Sequence, residues 1–184
     1  TSNGNIVVSG LQIKNNAGSL ALNPGGSGVW QIWTSNLYPF SSDVTIGNSL
    51  GGLVSDYVQY GAVYGQTTVL GSGNGVLYTL SPTLSVTVSG TISKVYDASR
   101  DAEVTLSNYS LVAGALNGDL VNLTAPSSAL FNNSNVGENK SIALSGVTVD
   151  SSSRTLGGAS IYGYSVLITN NLVGTITAAP LGIQ

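Results

Sequence analysis

The chain has 184 residues, 42% of them apolar and only 7% charged, with a formal net charge of −3 and a sequence pI near 4.4. Five Lys and Arg make no basic stripe for a nucleic-acid backbone, and the absence of His and Cys removes disulfides, thiolate metal sites and the Ser-His-Asp and Cys-His nucleophile systems. No apolar run approaches the roughly 20 residues of a membrane-spanning helix, so the apolar residues are expected in a folded core and no membrane insertion is expected.

Helix signals are nearly absent along the chain, and no stretch sustains an i, i+3, i+4, i+7 apolar pattern. Short β-prone runs follow one another instead, at 5–9, 11–14 and 19–22, split by Gly and Asn turns. Residues 29–33 (Val-Trp-Gln-Ile-Trp) read as a further strand. The runs 67–70 and 76–80 flank Gly71-Ser72-Gly73-Asn74-Gly75, which predicts a hairpin with a Gly-rich loop. Residues 84–89 alternate apolar and polar, so one strand face is buried and the other wet.

A boundary is expected at Ser81-Pro82-Thr83. Before it the charges are Lys14, Asp43 and Asp56; ten lie between Lys94 and Arg154, and none follows. Trp30, Trp33, Tyr38, Phe40, Tyr57, Tyr60, Tyr64 and Tyr78 all precede it. The reading is an all-β chain of two modules, 1–82 and 83–184. In the second, strands are predicted near 85–96, 103–106, 109–113, 120–124, 141–149, 162–169 and 174–178, with turns at Asn117-Gly118-Asp119, Asn135-Val136-Gly137 and Gly157-Gly158. That spacing fits a small β-sandwich or a β-grasp-like layout.

Lys94-Val95-Tyr96-Asp97 resembles the opening of the YDG repeat of large bacterial exoproteins, with Ala98 where the usual motif has Gly. Asn117-Gly118-Asp119-Leu120-Val121-Asn122-Leu123, Asn135-Val136-Gly137-Glu138-Asn139-Lys140, Tyr162-Gly163-Tyr164 and Gly174-Thr175-Ile176-Thr177-Ala178-Ala179-Pro180-Leu181 resemble its later landmarks, in the same order. Leu50 to Leu53, Tyr57 to Gly65 and Gly73 to Leu80 resemble the segment preceding such repeats in filamentous-haemagglutinin-like, two-partner-secreted adhesins. The resemblance implies that residues 4–22 are about the last rung of a parallel β-helix. It also implies an extracellular, cell-surface filament with roles in adhesion, aggregation or the biofilm matrix. Its partners would be the chain itself or neighbouring repeats, and surface glycans or exopolysaccharide.

No cofactor is called for. Asp97, Asp101 and Glu103 lie close together, as acids for catalysis or calcium would, but Lys94 and Arg100 sit among them and a charged turn is the simpler expectation. Lys94 is also weighed as the lysine of an intramolecular isopeptide bond. The aromatic cluster supplies the binding candidates: Trp30, Trp33, Tyr57 and Tyr60 for stacking on sugar rings, against the alternative that they fill the interior. Trp30 and Trp33 are three apart, so a strand sends them to opposite faces. Asn108, Asn122, Asn132 and Asn139 each open an Asn-x-Ser/Thr acceptor for N-glycosylation. Three functions compete: a non-catalytic structural module, a carbohydrate-binding adhesin module, and a fibre subunit that polymerises by strand addition at its charge-poor ends, near 5–8 and 156–184.

Overall fold

The computed structural model describes residues 4–182. Its regular structure is β throughout, apart from a 3-10 turn at Leu106–Asn108. The chain forms two compact units. Unit 1 takes the residues up to Thr83 together with Ala115–Asn122 and Ser151–Ser165; unit 2 takes Leu84–Gly114, Leu123–Asp150 and the residues from Val166. Two segments downstream of Pro82 thus pack with the N-terminal unit.

Unit 1 is built on one parallel sheet. Its strands are β1 (Ile6–Gly10), β2 (Trp30–Thr34), β3 (Tyr57–Gln59), β4 (Gly75–Tyr78) and β10 (Ser160–Tyr162), in the order β1-β2-β4-β3-β10. The β1/β2 ladder runs without a slip from Ile6 opposite Trp30 to Gly10 opposite Thr34. β2, β3 and β4 are covered on both faces, as parallel sheets require. Trp30, Ile32, Val58, Val76, Tyr78 and Ile161 fill one side with Leu53 and Tyr60. Trp33, Tyr57 and Leu77 fill the other, beneath Ala62 and Val69.

That second cover replaces the expected hairpin. β4 pairs in parallel with β2 and β3 rather than with residues 67–70. The Gln59 side chain captures the backbone of the 67–70 run: its Nε2 donates to the Thr68 carbonyl at 2.9 Å, and its Oε1 accepts from the Leu70 N–H at 2.9 Å. A Cβ at Gly75 would lie 2.0 Å from the Tyr57 ring, so only glycine lets that ring lie flat on β4.

Asparagine side chains complete the strand ends. Asn5 Oδ1 accepts from the Val29 N–H at 3.1 Å and Asn74 Oδ1 from the Trp30 N–H at 3.0 Å. Buried Asn36 donates to the Ile46 carbonyl and to Asn48, whose Oδ1 also accepts from the Ile13 N–H. The expected strands at 11–14 and 19–22 reduce to one bridge between Lys14 and Ser49 and to turns.

Unit 2 carries two sheets. One has the order β11 (Ser165–Ile168), β5 (Thr83–Val88), β7 (Tyr109–Ala113). The other has the order β6 (Ser93–Val95), β12 (Leu172–Thr177), β9 (Gly137–Ser145), β8 (Ser128–Phe131). β5 alternates as its sequence demands, with Leu84, Val86 and Val88 buried. β11 runs along β5 in the same direction, since the hydroxyl pairs Thr83···Ser165 and Thr87···Thr169 keep one offset. Val88 and Tyr109 from the first sheet meet Phe131, Ile142, Leu172 and Ile176 from the second in one buried cluster. Two sheets around a shared core make the unit sandwich-like.

Four predicted strands changed form. The run 162–169 is divided at Gly163 and Tyr164 into the end of β10 and β11. The run 85–96 breaks at Gly90, whose φ of +104° ends β5 before β6 starts. Residues 103–106 lead into the 3-10 turn because Asn108 Oδ1 accepts from the Thr105 N–H at 2.9 Å, which closes a capping box. Residues 120–124 supply only the bridges Leu120 to Arg154 and Leu123 to Val149.

Candidate functional site

The four rings named for sugar stacking are all interior. Trp30 is 3% exposed, Trp33 5%, Tyr57 1% and Tyr60 2%. Trp30 and Trp33 do leave opposite faces of β2, but both faces are covered, so neither ring has a free side. The sugar-stacking expectation for these residues is therefore corrected: Tyr60 stacks on Tyr78 with ring centroids 5.7 Å apart, and Tyr57 packs edge-on to Tyr162 at 6.4 Å.

Tyr60 instead helps hold a buried carboxylate. Tyr60 and Tyr164 each donate a phenolic hydrogen bond of 2.8 Å to Oδ2 of Asp119, and the Tyr164 oxygen accepts from the Leu116 N–H at 2.8 Å. Asp119 is 6% exposed and its Oδ1 has no partner among the described residues. Burial raises the Asp119 carboxyl above its ordinary value, only partly offset by the two phenols, and it raises the hydroxyls of Tyr60, Tyr78 and Tyr164 as well. This network ties Ala115–Asn122 and Ser151–Ser165 into unit 1. The sequence showed Asp119 only as part of an Asn-Gly-Asp turn, and nothing local marks it for burial.

The acidic trio does not converge. Asp97, Asp101 and Glu103 are all exposed, and no three acidic side chains gather as a metal site among the described residues. Asp97 is paired with Lys94 at 2.6 Å and also accepts from the Ser99 N–H. The Lys94 contact comes first among the causes that hold its carboxyl down, to about 2. Lys94 meets Asp97 and Ser99 rather than an asparagine amide, so it lacks the geometry of an isopeptide lysine. The lysine that does meet an asparagine is Lys140, 8% exposed, whose Nζ donates to Asn133 Oδ1 at 2.5 Å. Asn133 Oδ1 also accepts from the Asn135 N–H, so the lysine closes an Asx turn.

Among the acceptor asparagines, Asn122, Asn132 and Asn139 are exposed. Asn108 is half-buried and its amide donates to the Ser89 carbonyl at 3.0 Å. Asn139 holds a φ of +53° inside β9, where the pairing with β12 slips by a residue.

The two ends of the unit 1 sheet differ. At β10, Arg154 pairs antiparallel with Ser160, one bridge on the outer side of that strand. At the other end, β1 (Ile-Val-Val-Ser-Gly) is the terminal strand and carries no charge, proline or bulge. Ile6 and Val8 reach the core but stay half-buried, whereas Trp30, Ile32 and Val76 on the next strands are buried. The charge-poor C-terminal end is arranged otherwise: β12 lies between β6 and β9, although β11 is an edge. Residues 183–184 of that end lie outside the described residues.

No curated protein and no solved structure matches the chain. The family model of the YDG domain matches residues 81–166, which include the Lys94 to Asp97 opening and both segments that pack into unit 1. Residues 81–166 of this all-β chain therefore carry a YDG module.

Proposed function

We propose that the chain is a non-catalytic structural module of a secreted bacterial surface adhesin or extracellular fibre, working in adhesion or as biofilm scaffold. The observation that carries this reading is the polarity of the unit 1 sheet: an in-register parallel stack, bridged by Arg154 at β10 and, among the described residues, open at β1. Such a stack closes a longer run of parallel strands at one end and continues it at the other. The YDG match and the resemblance to two-partner-secreted exoproteins support the extracellular setting. The lack of His and Cys in the sequence supports a role without catalysis.

A second reading is favoured by β1 itself. An uncharged edge strand is a template for strand addition, so β1 also suits polymerisation of identical subunits. Electron microscopy of the purified chain over a range of concentrations separates the two. The structural-module reading expects monodisperse monomers. Regular filaments that grow with concentration would overturn it in favour of the fibre subunit.

A further inference from the structure

At the β10 end of the unit 1 sheet, the segment that covers β3 stops at Ser72 and Gly73. Beside it lies a cavity of about 430 Å³, lined by Asp56, Tyr57, Ser72, Gly73, Ser160 and Tyr162. Asp56 is the only charged residue in that lining. Ser160 stands opposite Tyr57 in the β3/β10 ladder, and Tyr162 opposite Gln59. Residues two apart on a strand share a face, so the Ser160 hydroxyl and the Tyr162 ring rise from the same side of β10.

The Asp56 carboxylate is held in place, yet only half of it is used. Its Oδ2 accepts from the Asn74 N–H at 2.7 Å. A Cβ at Gly73 would lie 2.4 Å from that oxygen, so the glycine lets the turn close on the carboxylate. Among the described residues, Asp56 Oδ1 and the hydroxyls of Ser72 and Ser160 have no hydrogen-bond partner. Asp56 and Ser72 are exposed, and the Ser160 hydroxyl is not sealed from solvent. Asp56 forms no ion pair among the described residues. Arg154, which bridges to Ser160 through its backbone, turns its Nη1 to the carbonyls of Ser151 and Ser153 instead.

These groups suit one kind of ligand. One acid without a base in the lining asks for one positive charge. Three separate oxygen acceptors match the three N–H donors of a primary ammonium. A guanidinium is a flat fork that gains most from both oxygens of a carboxylate, and here one oxygen is already taken. A single carboxylate serves calcium poorly, since that ion takes about six to eight oxygens. Tyr162 is half-buried and set edge-on to Tyr57, with centroids 6.4 Å apart, and it offers an aromatic wall for a cation and its alkyl stem. We propose that this cleft binds a primary alkylammonium group, carried by a free amine or by a lysine side chain, with Asp56 Oδ1, Ser72 and Ser160 as acceptors. The inference stands apart from the structural-module reading, since a scaffold can carry such a site or lack it.

The test is titration of the whole protein at low ionic strength with cadaverine and with an end-blocked Gly-Lys-Gly peptide, followed by calorimetry and by amide NMR shifts. Saturable binding of at least one is expected, and it should weaken as salt is added. The tighter of the two identifies the source of the ammonium group. The guanidinium counterpart of that ligand should bind more weakly. Asp56→Asn keeps an acceptor for the Asn74 N–H but removes the charge, and should weaken binding about tenfold. Ser72→Ala should weaken it less, without moving the melting temperature, because the position is exposed. Asp43→Asn, at an exposed acid outside this lining, should leave binding unchanged. The proposal is overturned by the absence of saturation with both amines, by undiminished binding in Asp56→Asn or in Ser72→Ala, or by a guanidinium that binds as tightly as the ammonium.

Discussion

At the residue scale, Ala98 occupies a position where the motif it resembles has glycine, and it adopts the conformation glycine would, with φ at +65°. A left-handed conformation costs an L-residue roughly 1–2 kcal/mol, yet the turn is kept. The Lys94–Asp97 pair and the Asp97 bond to the Ser99 N–H hold it from both sides. Ala98→Gly should therefore raise stability by about 1 kcal/mol, offset partly by the added freedom of the unfolded chain, as a higher urea midpoint would show. Asp119 gives the opposite kind of case, a residue whose environment opposes its charge. Its folded carboxyl is raised above the ordinary 3.8 by burial. Between those two values the folded state holds a proton that the unfolded state releases, so stability falls as pH rises through that window. Asp119→Asn keeps one side-chain oxygen to accept from both phenols, without a charge. The variant should match the parent near pH 4, exceed it at pH 8, and show a flatter pH dependence in urea titrations across that range.

At the element scale, the segment 63–72 covers the sheet without adding a strand to it, and one side chain explains the choice. Gln59 is buried in β3 and bonds the backbone at Thr68 and Leu70. Gln59→Ala would remove both part-buried bonds that hold the segment down and should cost about 1 to 3 kcal/mol. Hydrogen exchange should show the Leu70 amide losing protection while amides in β2 keep theirs, which distinguishes release of the cover from global unfolding. Alternation in 84–89 was legible from the sequence because β5 has one wet face, and period-2 patterning survives only there. β3 was missed because Tyr57-Val58-Gln59 is three residues long and buried on both sides, with a glutamine that serves the cover. The hairpin was wrongly expected because two β-prone runs around a glycine loop look alike whether their partners are each other or strands distant in sequence.

At the scale of the whole molecule, the units are discontinuous, and this has a consequence for fragments. Residues 1–83 alone lack β10, Ile161, Asp119 and Tyr164, all of which belong to unit 1. That fragment should show no near-ultraviolet circular dichroism from its ordered aromatics, whereas the full chain should show it strongly; an ordered aromatic signal from 1–83 would count against the assignment of those segments. The boundary near Pro82 was placed by charge and aromatic content, which record composition along the chain and not which segments pack together. By itself the sequence determined the all-β class, the turn-rich punctuation and the YDG landmarks, because alternation, glycine and asparagine act locally. Only the tertiary structure decided that the aromatics named for sugar stacking are interior, that an aspartate from a turn is buried beneath two tyrosines, and that β1 is an open edge. Burial and edges depend on what arrives from elsewhere in the chain: β10 lies about a hundred residues from the strand it joins, and no local pattern encodes a partner at that distance.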